Sequence, residues 1–195
     1  MLIYLHGFNS SPRSIKVNQL RSHLANIGRE NELVCPTLPW NFVNAIQTIE
    51  ATLFDLKDRK ICLIGSSLGG FYATYFAEKR NLPAVLINPA IKPHESLVKY
   101  LGPQKNIYSS ERYLLKEEHM EELLKVYCPV IKNPAQYLLL AGVDDEVLNY
   151  REAIEKFSGA EQIIVKEDHA FLSFPFYIDK VLEFADRLAC YPKFE

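Results

Sequence analysis

Five short stretches of the chain are apolar throughout or nearly so, and helical patterns separate them. They are residues 2–5, 61–64, 84–87, 137–141 and 162–165. Continuous apolar runs of this length are typical of strands buried on both faces, as in a parallel sheet covered by helices. A weaker run spans residues 32–35 and ends at Pro36. The pattern therefore predicts a mostly parallel sheet of about six strands.

Between these runs, apolar residues recur at steps of three and four, which is the period of an amphipathic helix. One series consists of Val17, Leu20, Leu24 and Ile27, and Gly28 follows as a stop signal. Alternating strands and helices predict right-handed βαβ crossovers and a doubly wound α/β fold. The 195 residues suit a single domain over residues 1–195.

The alternation of strand and helix breaks down over residues 88–134, where five prolines interrupt the chain. A connection of this length is typical of a lid or an accessory element. We therefore expect a lid-like insertion over about residues 88–134, with a helix over about residues 110–127.

The most informative chemical motif is Gly-Ser-Ser-Leu-Gly at residues 65–69, between a predicted strand and a predicted helix. It fits G-x-S-x-G, in which a nucleophilic serine at a sharp strand-to-helix turn needs small neighbours. Ser67 alone has glycines two residues away on both sides, so we predict it as the nucleophile. A Gly/Ser turn without chemistry is the alternative. A phosphate-binding loop is excluded because Phe71 and Tyr72 replace the required Lys-Ser/Thr pair.

A nucleophilic serine needs a base and a carboxylate that orients the base, and in this fold the acid precedes the histidine. Asp144 and Asp145 follow the fourth apolar run, and His169 follows the fifth. Both positions are at the carboxyl ends of strands, where open α/β sheets place their sites. In this fold the acid commonly lies three residues after the glycine that starts the turn behind the strand, and Asp145 stands in this relation to Gly142. We therefore predict a triad of Ser67, Asp145 and His169, with Asp144 as the alternative carboxylate.

Two backbone N–H groups are candidates for an oxyanion hole. Leu68 directly follows the nucleophile, and Phe8 lies in the loop after the first predicted strand. His6 precedes that loop, and we expect it to support the loop rather than to act as an acid or base. His119 lies in charged surroundings, where we expect a solvated helix face.

Together these motifs resemble the YqiA-like esterases, which are small bacterial α/β-hydrolases. The resemblance is carried by residues 4–14, 65–74, 88–90, 145–151 and 169–171. It implies a cytoplasmic esterase that acts on short acyl esters, or on acyl-CoA thioesters, with Ser67, Asp145 and His169 as its triad. The chain opens at the strand before His6, so we expect a reduced α/β-hydrolase fold without the first two strands of the full fold.

The expected activity is therefore that of a serine carboxylic-ester hydrolase that forms an acyl-enzyme on short acyl esters. An acyl-CoA thioesterase or a small serine peptidase with the same triad remains an alternative, because fold and triad do not separate these activities. A non-catalytic binding protein on a hydrolase scaffold is the more remote alternative. Apolar and aromatic residues of the insertion are expected to shape the acyl pocket: Ile91, Leu97, Tyr100, Leu101, Tyr108 and Tyr113.

Composition and charge limit the classes of partner and the cellular locations that we expect. The net charge is −2, with 22 basic residues scattered among 24 acidic ones, which disfavours binding to nucleic acid. No apolar run approaches the roughly 20 residues that span a bilayer, and the start of the chain lacks a secretory signal. We expect a cytoplasmic protein with a small acyl ester or thioester as its substrate. No metal or organic cofactor is expected, because the sequence has neither metal-ligand spacing nor G-x-G-x-x-G.

Overall fold

The computed structural model describes residues 1–106 and 108–194, and a parallel sheet forms its centre. The strands of the described residues are Leu2–Leu5 (β1), Leu33–Val34 (β2), Cys62–Ser66 (β3), Ala84–Ile87 (β4), Gly102–Lys105 (β5), Arg112–Leu115 (β6), Tyr137–Gly142 (β7) and Glu161–Val165 (β8). Six of them form the sheet in the order β2-β1-β3-β4-β7-β8, and every pairing in it is parallel. The prediction of a six-stranded, mostly parallel sheet is confirmed.

Helices cover both faces of this sheet. They are Ile15–Asn26 (α1), Phe42–Asp55 (α2), Leu68–Arg80 (α3), Pro93–Ser96 (α4), Glu117–Lys125 (α5), Tyr150–Lys156 (α6) and Ile178–Leu188 (α7). Helices α1 and α7 pack on one face, while α2, α3 and α6 pack on the other. Within residues 1–106 and 108–194, no helix has both the length and the apolar character needed to cross a membrane.

Burial on both faces explains why the central strands are continuously apolar. In β1, Leu2 and Tyr4 pack into the core beneath α1 and α7, whereas Ile3 and Leu5 pack into the core beneath α2 and α3. All residues of β1, β3, β4 and β7 are buried. Strand β8 lies at the edge of the sheet and is only partly buried. This agrees with its sequence, which begins with the polar residues Glu161 and Gln162.

The segment between β4 and β7 contains α4, an antiparallel hairpin of β5 and β6, and α5. The helix expected over about residues 110–127 is wrong in its first part, because residues 112–115 form β6 and the helix begins only at Glu117. Burial alternates along β6, with Tyr113 and Leu115 facing inward, and this period of two is that of a strand. Ile107 lies outside the described residues.

The expectation for His119 is also wrong. Its side chain is buried rather than solvated, and its Nδ1 accepts a hydrogen bond of 2.9 Å from the Lys116 N–H at the start of α5. The rings of Trp40 and Phe42 meet the imidazole edge-on. Charged neighbours in the sequence therefore belong to the exposed side of α5, whereas His119 belongs to its buried side.

Candidate active site

Ser67 occupies a sharp turn between β3 and α3. Its backbone has φ 56° and ψ −123°, a region that side chains of L-residues rarely adopt. The turn is tight because Gly65 and Gly69 approach neighbouring backbone closely: a Cβ at Gly65 would collide with the Gly69 carbonyl, and one at Gly69 with that of Leu5. A hydrogen bond of 3.0 Å from the Ser67 N–H to the Ile87 carbonyl holds the turn against β4. The strained turn exposes the Ser67 side chain at the carboxyl edge of the sheet.

The structure brings the three predicted triad side chains together. Ser67 Oγ lies 3.1 Å from His169 Nε2. His169 Nδ1 lies 2.9 Å from Oδ2 and 3.0 Å from Oδ1 of Asp145. All three distances are within hydrogen-bond range. In such an array the imidazole can take the hydroxyl proton while the carboxylate fixes the ring.

The Asp145 carboxylate is almost fully buried, with 1% of its side chain exposed. Its Oδ1 also accepts hydrogen bonds from the N–H groups of Val147, at 2.9 Å, and Leu148, at 2.8 Å. Burial acts to raise the pKa of Asp145, but the hydrogen bonds from His169 and these two N–H groups outweigh it, so the pKa is lowered. The carboxyl group therefore stays ionised. Asp144, the alternative carboxylate, is exposed to solvent.

Two residues that lie in the motifs, but whose roles the motifs did not reveal, hold the loop of His169. Buried Asn88 accepts a hydrogen bond of 2.8 Å from the Gly142 N–H, and its amide donates to the Asp168 carbonyl at 2.9 Å. Glu146 Oε2 accepts a hydrogen bond of 3.1 Å from the His169 N–H. The sequence feature that points to Asn88 is its position directly after an apolar strand. Open α/β sheets place their functional residues at this carboxyl edge.

His6 supports the loop after β1, as expected. The ring is buried, its Nε2 accepts the Leu38 N–H at 3.0 Å, and its Nδ1 lies 3.1 Å from the Gly7 carbonyl. Because Nε2 is the acceptor, the proton is assigned to Nδ1, which donates to Gly7. Burial lowers the pKa of His6, which favours this neutral form. Both ring nitrogens are thus occupied in holding the loop that carries Phe8.

The two predicted oxyanion donors lie beside Ser67. Leu68 begins α3, so its N–H belongs to the first turn, where helical N–H groups have no partner within the helix. Phe8 follows Gly7, at which an added Cβ would be 3.6 Å from Ser67 Oγ. Among the described residues, neither N–H donates a hydrogen bond within the protein.

Two cavities open onto Ser67, and both are bounded by Phe8, Ser67 and His169. The first has a volume of about 270 Å³. Its apolar wall includes Leu68, Ala90, Pro93, Leu97, Tyr100 and Leu148. The second cavity, of about 240 Å³, has Lys16, Ser10 and Ser14 in its wall.

The insertion residues expected to shape the acyl pocket divide between these cavities and the core. Leu97 and Tyr100 line the first cavity, and Tyr108 lines the second. Ile91 is buried in the core instead. Tyr113 is also buried, where its ring stacks on Trp40 at 4.3 Å and its hydroxyl donates to Asn9 at 2.6 Å; Leu101 packs partly buried against the same core.

In the part of the chain that the structure describes, no three His, Cys, Asp or Glu side chains are grouped so as to hold a metal ion.

The fold is that of the α/β-hydrolases. Alpha/beta hydrolase domain-containing protein 10 from mouse is similar with a TM-score of 0.73 at 15% identity, over 95% of this chain and 89% of that one. Est1E from Butyrivibrio proteoclasticus, solved with ferulic acid bound, has a TM-score of 0.69 at 15% identity, over 96% and 88%. An esterase domain from Rhodothermus marinus has a TM-score of 0.66 at 19% identity, over 96% and 86%.

Within that fold class the family can be stated. The chain belongs to the uncharacterised protein family UPF0227, whose model matches residues 1–186. This is the YqiA-like family, so the resemblance found in the sequence motifs is confirmed.

Proposed function

We propose that this chain is a serine carboxylic-ester hydrolase, which acts on short acyl esters through an acyl-enzyme at Ser67. One observation carries the proposal: Ser67 Oγ lies 3.1 Å from His169 Nε2, while the other ring nitrogen lies 2.9 Å from Asp145. The strained turn at Ser67 and the two free N–H groups beside it support the same chemistry. The α/β-hydrolase fold is shared with solved esterases, which adds further support.

In the proposed acylation, Ser67 Oγ attacks the carbonyl carbon of the ester and its proton moves to His169 Nε2. The carbonyl oxygen gains the negative charge, which the N–H groups of Phe8 and Leu68 stabilise. The bond from this carbon to the alcohol oxygen then breaks, and His169 gives its proton to that oxygen. Asp145 keeps the proton on Nδ1, so that Nε2 is free to act as the acceptor.

Deacylation repeats these steps with water as the nucleophile. The oxygen of the water attacks the acyl carbon while His169 takes a proton from the water. The N–H groups of Phe8 and Leu68 again stabilise the oxyanion. The bond to Ser67 Oγ breaks, the proton returns to this oxygen, and the carboxylic acid leaves. The proposed cycle uses only side chains, backbone N–H groups and water.

The first cavity supports a short acyl group. Its volume is about 270 Å³. Leu97, Tyr100 and Leu148 make much of its wall apolar beside Ser67, and Lys99 also lines the cavity. An acyl chain of a few carbon atoms would bury its methylene groups there, which is favourable at about 0.8 kcal/mol for each.

A substrate panel tests the proposed function. We expect 4-nitrophenyl esters from acetyl to dodecanoyl to be hydrolysed, with the highest kcat/KM at short chain lengths and with loss of turnover in Ser67→Ala. Thioesters of the same acids and a peptide amide complete the panel. A kcat/KM for thioesters or amides far above that for the esters would favour the thioesterase or peptidase alternative, and no turnover of any substrate would contradict the proposal.

A further inference from the structure

The second cavity is more polar than the first, and both cavities meet at Ser67. Its wall includes the Lys16 side chain, the hydroxyl-bearing residues Ser10 and Ser14, and Tyr4. An ester that reacts at Ser67 has an acyl half and an alcohol half, and these extend in different directions from the carbonyl carbon. If the apolar cavity holds the acyl half, the second cavity is the space that remains for the alcohol.

Lys16 brings a positive charge to this cavity. Its Nζ donates a hydrogen bond of 2.6 Å to the carbonyl of Ala170, the residue after His169, so the ammonium group is held at the loop that carries the base. Among the described residues Lys16 forms no salt bridge. The nearby carboxylates already have partners, since Asp145 binds His169 and Asp168 accepts the Phe171 N–H at 3.2 Å. Burial lowers the pKa of Lys16, and the charges of Asp168 and Asp145 offset this effect only in part.

The start of helix α1 at the same wall is also suited to an anion. The side chain of its N-cap residue Ser14 does not cap the helix. Backbone N–H groups of the first turn and the positive end of the helix dipole therefore remain available.

We infer that the second cavity is the leaving-group subsite of the proposed esterase, and that it takes an alcohol or thiol bearing an anionic group, a carboxylate or a phosphate. The inference rests on the proposed function. The Lys16 ammonium group and the helical N–H groups both donate hydrogen bonds, and an oxyanion is the acceptor that suits both. A neutral leaving group would leave the Lys16 ammonium with its single carbonyl partner.

Three butyryl esters of matched shape test the inference. Their alcohols are 3-hydroxybenzoate, 3-hydroxyphenyl phosphate and the neutral 3-hydroxybenzamide. Each kcat/KM is divided by the rate constant for hydrolysis of the same ester by hydroxide, which removes differences in leaving-group reactivity. We expect at least one anionic ester to exceed the neutral ester by about tenfold, the size expected of one hydrogen bond to a charged group. The two anionic esters show whether carboxylate or phosphate is preferred.

Lys16→Met keeps the apolar stem of the side chain and removes its charge. We expect this variant to lose the preference for anionic esters while it still hydrolyses the neutral one. Lys99→Met is the matched variant, because Lys99 lines the apolar cavity, and it should keep the preference. Equal rates for charged and neutral esters in the unmodified protein, an equal fall for all three in Lys16→Met, or loss of the preference in Lys99→Met would each overturn the inference. Failure to hydrolyse any of the three esters would instead contradict the proposed function.

Discussion

The side-chain oxygen of Asn88 accepts a hydrogen bond of 2.8 Å from the N–H of Gly142, where β7 ends and the loop of Asp145 begins. The amide group of the same side chain donates to the carbonyl of Asp168, directly before His169. One buried residue thus links the loop of the acid to the loop of the base. Its φ of 41° lies in the left-handed region, which asparagine tolerates better than most residues.

We therefore expect Asn88→Ala to lower kcat by about ten- to hundredfold with little change in KM, because a misplaced catalytic group costs about this much. The buried Gly142 N–H would also lose its partner, which costs about 1–3 kcal/mol of unfolding free energy. Steady-state kinetics and urea unfolding measure the two effects. Asn44→Ala, at an exposed position on α2, should change neither. A wild-type kcat in folded Asn88→Ala would show that the link does not position the catalytic groups.

The two adjacent aspartates should differ sharply in their effect on turnover. Asp145→Asn removes the acceptor for the His169 Nδ1–H and favours the wrong tautomer, and the corresponding change in another serine hydrolase lowers kcat by about 10⁴. Asp144 is exposed, so Asp144→Asn should cost at most roughly tenfold, since its charge acts through water. Both kcat values are compared in variants shown to be folded by circular dichroism. An inactive Asp144→Asn beside an active Asp145→Asn would reverse the assignment.

Asp145 should also affect stability at acid pH. Its pKa in the folded state is lowered below the ordinary value of 3.8, so its contribution to stability is complete above that value. The contribution is lost as the pH falls from there through the lower folded-state pKa. Urea unfolding from about pH 6 to pH 2 should therefore show a steeper acid loss in the unmodified protein than in Asp145→Asn. Parallel curves for the two proteins would contradict the lowered pKa.

The apolar cavity should set the acyl chain length. Leu97 lies in its wall, so Leu97→Trp should fill part of the space and lower kcat/KM for longer esters by about tenfold relative to acetyl, because overpacking costs about 1–3 kcal/mol. Leu114→Trp is the control, since Leu114 is 48% exposed on β6. The ratio of hexanoyl to acetyl turnover gives the comparison. An unchanged ratio in Leu97→Trp would place the acyl chain elsewhere.

The central sheet could be predicted from the sequence because its strands are buried on both faces, which leaves an unbroken apolar run in each. The secondary structure of the segment between β4 and β7 could be predicted only in part. Residues 112–115 have alternating burial because β6 pairs with β5 and packs Tyr113 against Trp40 from a distant part of the chain. Spacing within a single segment does not contain this information. The prediction of an exposed His119 is wrong for the same reason. The rings that bury this side chain belong to Trp40 and Phe42, which are more than 70 residues away in the sequence.

The predicted site residues lie together in the structure because each follows a motif or strand end whose place in the fold is fixed. Ser67, Asp145 and His169 stand at the carboxyl ends of β3, β7 and β8. Asn88 and Lys16 could not be assigned roles in this way. Their partners are carbonyl and N–H groups of the Asp145 and His169 loops, and backbone groups have no signature in the sequence.

Covalent labelling with a fluorophosphonate gives the clearest test of Ser67 as the nucleophile. Such a probe reacts with a serine that a neighbouring base activates, and the adduct can be located by mass spectrometry of peptides. We expect one adduct per chain on Ser67, no adduct in Ser67→Ala, and labelling that persists in Ser66→Ala. An adduct on Ser66, or labelling that persists in Ser67→Ala, would show that Ser67 is not the nucleophile.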